Sequence, residues 1–239
     1  LSSLNLGHCR GLTSDQITTI LGHCPSLSSL NLWGCTALTA LTIPEGSNLT
    51  TLDLSWCIGL AAVQITTILG HCPSLSTLKL AGCRRLTSDQ ITTILGHYPN
   101  LTTLDLGGCT GLTELTIPEG SNLATLELRD STELAALTLP AGSNLTTLNL
   151  WGCTGLAALT IPVGSNLTTL KLWGCTALTA LTIPAGSNLT TLDLRGCTWL
   201  TSAYITTIVR HCPNLTTLDL GYPRSGTIPP ELIGSIRRW

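Results

Sequence analysis

Arg129, Trp151, Trp173 and Arg195 follow one another at intervals of 22 residues. A structure with that period places two indoles and two guanidiniums in one row, about 5 Å from one to the next if the rows are β-strands. Such a row does recognition chemistry: indoles stack, a guanidinium sits over an aromatic face, and exposed Trp and Arg are the types enriched in protein interfaces. The other reactive types are histidine and cysteine. His23-Cys24, His71-Cys72 and His211-Cys212 each precede a proline, as does His97-Tyr98, and His8 stands alone. Adjacent His and Cys cannot both reach one tetrahedral zinc in an obvious way, and partners at zinc-site spacing are absent. A histidine ending a helix is instead favoured by the helix dipole. No metal and no cofactor is expected. Acidic residues are dispersed and no nucleophile elbow, Walker loop or dinucleotide fingerprint occurs, so the chain does not read as an enzyme.

The elements that must hold the row are written ten times. Leu-x-x-Leu-x-Leu starts at Leu1, Leu27, Leu49, Leu75, Leu101, Leu123, Leu145, Leu167, Leu189 and Leu215, at spacings of 22 or 26 residues. Alternation within the phrase turns the fourth and sixth leucines inward and the third and fifth residues outward, which predicts one short parallel strand per turn of a solenoid. The 22-residue turns return through Leu-Thr-Ala-Leu-Thr-Ile-Pro, as at Leu38–Pro44, which predicts a second extended segment. The 26-residue turns carry Thr13-Ser14-Asp15-Gln16, with capping-box spacing, then an Ile17, Ile20, Leu21 stripe stopped by Gly22 and Pro25. That pattern predicts a short helix, repeated at Thr87–Pro99 and less faithfully at Ala61–Pro73 and Thr201–Pro213.

Columns then read as surfaces. The third is Ser or Thr throughout, whereas the fifth and seventh vary, and specificity is expected there. Beside the Arg–Trp–Trp–Arg row lie Asn149, Lys171 and Asp193. Trp33, Trp56 and the pair Arg84-Arg85 form weaker patches. The alternative for the row is that it satisfies itself as a stack and stiffens the sheet. On the return side, Thr42, Thr116, Thr138, Thr160 and Thr182 share one outward position, a regular hydroxyl and methyl lattice of the kind ice-binding surfaces present.

Net charge is −2 and only 10% of residues are charged, which excludes an electrostatic nucleic-acid or membrane-surface binder. No apolar run approaches the roughly 20 residues of a bilayer span. Eight of the 11 cysteines share the ninth repeat position, and equivalent side chains point alike rather than at each other. They are expected as reduced, buried thiols bonded to loop carbonyls, which favours a cytoplasmic setting. Asn-Leu-Thr occurs at Asn48, Asn100, Asn144, Asn166, Asn188 and Asn214. Crowding argues against glycans, and each Asn is expected to fold onto its own backbone before the strand. A chain opening on Leu1 and holding no methionine reads as a processed or excerpted product, so secretion stays open.

Leu-x-x-Leu-x-Leu-x-x-Cys-x-x-Leu resembles the leucine-rich repeat superfamily across essentially the whole chain. Cys83-Arg84-Arg85-Leu86-Thr87-Ser88-Asp89 and the closing His23-Cys24-Pro25 are similar to its cysteine-containing subclass, common in F-box-type substrate adaptors. Gly174-Cys175-Thr176-Ala177-Leu178 and Thr182-Ile183-Pro184 are similar to short bacterial and protist repeats, and Ser225-Gly226-Thr227-Ile228-Pro229 to plant-type ones. The resemblance implies one domain over 1–239: a right-handed α/β solenoid, its parallel sheet concave, ending in a capping repeat over 215–239. It also implies a non-enzymatic scaffold that binds a protein partner. An ice-binding protein, a consensus-like engineered scaffold and a surface adhesin are the other readings, and oligomeric state is not legible.

Overall fold

The computed structural model describes residues 1–221. Its wall is a ten-stranded, all-parallel sheet built from one three-residue strand per repeat. These are β1 (Ser3–Asn5), β2 (Ser29–Asn31), β3 (Thr51–Asp53), β4 (Thr77–Lys79), β5 (Thr103–Asp105), β7 (Thr125–Glu127), β9 (Thr147–Asn149), β11 (Thr169–Lys171), β13 (Thr191–Asp193) and β14 (Thr217–Asp219). On the return side lie β6 (Glu114–Thr116), β8 (Ala136–Thr138), β10 (Ala158–Thr160) and β12 (Ala180–Thr182). Register is leucine on leucine throughout, as in Leu78↔Leu104 and Leu148↔Leu170. A one-residue slip would turn every buried leucine outward, so burial sets the register. A further ladder runs alongside: hydroxyls at the second position, such as those of Thr102, Thr146, Thr168 and Thr190, donate to the carbonyl of the preceding repeat at 3.0 to 3.1 Å. The molecule is an α/β solenoid.

The return side depends on the neighbour. Strands β6 and β8 pair, and β10 and β12 pair, where adjacent repeats both take the extended route. Leu38–Pro44 has the same sequence pattern but forms no strand, because the turns on either side of it are helical. There the Ala40 and Thr42 amides donate to the Ser14 and Thr18 hydroxyls of the preceding helix instead. The helices are α1 (Ser14–Gly22), α2 (Ala62–Gly70), α3 (Ser88–His97) and α4 (Ser202–His211). At α1 the capping box is complete: the Gln16 amide donates to Thr13 Oγ1 and the Thr13 amide to Gln16 Oε1. At α3 the Thr87 amide donates to Gln90 Oε1, and at α4 the Tyr204 amide donates to Thr201 Oγ1. Helix α2 has Ala61 at its N-cap, with no side-chain cap and no acidic residue in its first turn.

One apolar core runs the length of these residues, with the fourth and sixth leucines of the inner repeats essentially sealed. The thiol column seals the corner after each strand. Cys35, Cys57, Cys83, Cys109, Cys153, Cys175 and Cys197 donate to the sixth-position carbonyl of the preceding repeat at 3.0 to 3.5 Å. In the repeat starting at Leu123, which lacks the cysteine, Ser131 makes the same bond at 3.0 Å. All 11 thiols are unpaired. The asparagine expectation is corrected. Asn144, Asn166 and Asn188 donate not to their own turn but to Ser121, Ser143 and Ser165 carbonyls one repeat back, at 3.0 to 3.2 Å. The local turn is made by the preceding serine, whose Oγ accepts the amide two residues on, as Ser143 does from Leu145. A serine oxygen is close enough for that short loop, which frees the longer amide to cross between repeats. The expected capping segment from position 222 onward lies outside the described residues.

Candidate functional site

Each strand ends in the same tight corner, and the corner aims the seventh side chain. In seven of the ten repeats the fifth residue is Asn or Asp, and its Oδ1 accepts the amide of the seventh. The eighth residue is left-handed, with φ near +70° at Gly34, Gly82, Gly152, Gly174 and Gly196. Any Cβ there would be strained, so glycine is the default. The corner therefore presents the seventh side chain from a fixed backbone.

That frame brings Trp151 and Trp173 together. Their rings are parallel within 3°, with centroids 4.8 Å apart. Arg195 closes one end, its guanidinium carbon 4.3 Å from the Trp173 centroid. It is clamped there by Asp193, through Nη2 to Oδ2 at 2.6 Å and Nε to Oδ1 at 3.0 Å, and by Asp219 at 3.2 Å. Arg129 does not close the other end, contrary to the expected symmetry. It bends toward the preceding repeat, to Asp105 at 3.4 Å, with its stem lying over Gly107, whose lack of a side chain leaves room. The indoles remain 40% and 39% exposed.

Of the flanking residues, Lys171 is exposed as expected, but Asn149 and Asp193 are buried. Asn149 Oδ1 accepts the Trp151 amide at 3.1 Å and its Nδ2 donates to Glu127 at 2.7 Å; Asp193 is spent on Arg195. These two orient the row rather than face a ligand. The signal was in the sequence: Asn or Asp two residues before a turn amide is an Asx-turn pattern.

Trp33 and Trp56 are not brought together. Trp33 meets His8 edge-on at 4.0 Å, whereas Trp56 occupies the left-handed eighth position with φ +59°. His8 and Asp130 are the other non-glycine residues there. The helix-end histidines are structural in geometry: Nδ1 of His23 and of His97 meets the carbonyl four residues back at 2.8 Å. Among the described residues, no three His, Cys, Asp or Glu side chains gather where an ion could be shared. Thr116, Thr138, Thr160 and Thr182 are exposed and pair as 116↔138 and 160↔182, while Thr42 lies outside any strand. No helix among these residues is long and apolar enough to cross a membrane.

Burial pushes the thiols up, to about 12 at Cys57, Cys83, Cys109 and Cys153 and about 11 at Cys197. They are neutral packing groups at ordinary pH, not nucleophiles.

Fold and site together define a class: a repeat solenoid offering a rigid face of aromatic and cationic side chains. Neither a family model nor a curated protein matches the chain. Among solved structures, a chain in the crystal structure of the yeast Rad7 and Elc1 complex is similar, with TM-score 0.49 and 19% identity over 99% of this chain and 73% of that one.

Proposed function

We propose that the chain is a non-enzymatic scaffold that binds a protein partner on its ten-stranded, concave face, centred on Trp151 and Trp173. The observation that carries this reading is the stacked, half-exposed indole pair, held by Arg195 on a backbone fixed before any partner arrives. Rigid aromatic anchors lose little entropy on binding, which is why they dominate interface energetics. Asn149 and Asp193 serve as positioning residues, and Arg129 and Lys171 supply charge at the margin.

The test is affinity capture by the full chain against the Trp151→Ala, Trp173→Ala double variant. The variant is expected to lose the partner and, with the ring–ring contact and the Arg195 contact on Trp173 both gone, about 1 to 3 kcal/mol of stability. Undiminished capture would place the site elsewhere.

A second reading rests on the return face, where the exposed threonines of β6 and β8, and those of β10 and β12, stand in register in pairs beside Ala136, Ala158 and Ala180. That lattice, charged only at Glu114, suits ordered water. Thermal hysteresis that vanishes in a Thr138→Lys, Thr160→Lys variant would support it; freezing without hysteresis would dismiss it.

A further inference from the structure

The repeat spanning 49–74 departs from the helical repeats 1–26 and 75–100 at several positions where polar residues give way to apolar ones. Its left-handed eighth residue is Trp56 where Gly82 and Gly108 stand in the next two repeats. Its tenth is Ile58 where Arg10 and Arg84 stand, and its helix opens Ala61-Ala62-Val63 where the others have Thr13-Ser14-Asp15 and Thr87-Ser88-Asp89. Polar, acidic and conformationally free residues have been exchanged for apolar and strained ones. Their side chains do not retreat into the core: Trp56 is 43% exposed, Ile58 55% and Val63 63%. Strain kept at an exposed position points to use.

Between this repeat and the next a cleft of about 390 Å³ opens, lined by Trp56, Ile58, Ala62, Ile65, Arg84 and Arg85. The indole lies flat on Gly82, so close that a Cβ there would meet its ring carbons at 2.6 Å. Arg84 stands over the other part of the indole, its guanidinium carbon 5.8 Å from the centroid. Both arginines are exposed, and among the described residues neither has a carboxylate within ion-pair distance. Arg129 and Arg195, by contrast, are each held by a carboxylate.

The geometry points to a binding site in this cleft for an extended peptide segment that carries a carboxylate side chain next to a large apolar or aromatic one. The apolar group covers Trp56 and Ile58, and the carboxylate takes the guanidinium forks of Arg84 and Arg85, whose planar geometry matches it. Charge complementarity argues for a carboxylate ligand, and local charge argues against nucleic acid: two cations make no track for a phosphate backbone, on a chain of net charge −2. The site is independent of the Trp151–Trp173 row, and either can fail without the other.

The experiment is fluorescence anisotropy of a labelled, acetylated peptide alternating Glu with Leu and Phe, titrated with the full chain. Saturable binding is expected, weakening with salt. Trp56→Gly restores the residue the left-handed backbone prefers, so it should hold or raise the melting temperature while weakening the peptide about tenfold or more. Arg84→Ala with Arg85→Ala, or Gln for Glu in the peptide, should weaken binding to a similar degree. The Trp151→Ala, Trp173→Ala variant should bind this peptide normally. No binding by the parent chain, equal binding by Trp56→Gly, or preferential binding of an oligothymidylate or of inorganic phosphate would overturn the proposal.

Discussion

The first hundred residues and the stretch from 101 to 188 use the same strand and different ways home. In the former three returns are helical, and in the latter all four are extended. Yet the sheet crosses from β5 to β7 with its register unchanged, Thr103 on Thr125 and Leu104 on Leu126. The wall is thus specified within each repeat by Leu-x-x-Leu-x-Leu and the corner after it. The return is specified by the repeat together with its neighbour, since Leu38–Pro44 has the pattern of β12 and no partner to pair with. The wall gains a rigid presenting surface, and the back of the molecule is free to vary.

The largest effect that would sharpen this comparison is alkaline unfolding, because both regions share the thiol column. Folded thiols at about 12, against an ordinary value near 9, stay protonated where unfolded ones ionise. Their stabilisation is complete below pH 9 and is lost as pH rises through the folded values. Each costs up to about 1.4 kcal/mol per pH unit across that window. Thermal melts should therefore fall steeply above pH 9, with both regions lost together. A flat profile would mean that the thiols are not buried in the column. Below that pH only half-buried Cys9 and Cys24 should react readily with a thiol reagent.

Next in size are matched core deletions. Leu159→Ala in β10 and Ile65→Ala in α2 each remove a sealed aliphatic group from the return side, and each should cost about 2 to 5 kcal/mol. Hydrogen exchange should separate them. Loss of protection should spread from β10 to its partner β12, but stay within α2 in the helical case, where the backbone bonds are internal. Equal spreading would break the distinction between paired and self-contained returns. Smaller again is the cap. Ala61→Thr should stabilise by about 1 kcal/mol in urea titration, and Thr13→Ala should lose a similar amount. No gain would mean that the start of α2 is satisfied by something other than a side chain.

The wall was legible in the sequence because burial alternates with a period of two and the corner cysteine recurs at one place. The helices were legible from Thr13, Gln16 and Gly22, whose chemistry is local. What escaped were contacts that depend on which repeat lies alongside. Asn144 reaches across a repeat because Ser143 already holds its own turn, and Arg129 leaves Trp151 because Gly107 makes room beside Asp105. Asn149 and Asp193 were assigned to the surface by alternation, which cannot see that an Asx turn draws a side chain back onto the backbone. The strain at Trp56 was detectable in outline, since the neighbouring repeats have glycine at that position, but the cleft beside it needed coordinates.

The claim that the wall, and not the return face, meets the partner is tested most directly by photo-crosslinking from each side. A benzophenone amino acid replaces Trp173 in one variant and Thr160 in another, and both are irradiated with the captured partner. Covalent adducts are expected from position 173 and none from position 160. Adducts from position 160 alone would contradict the account.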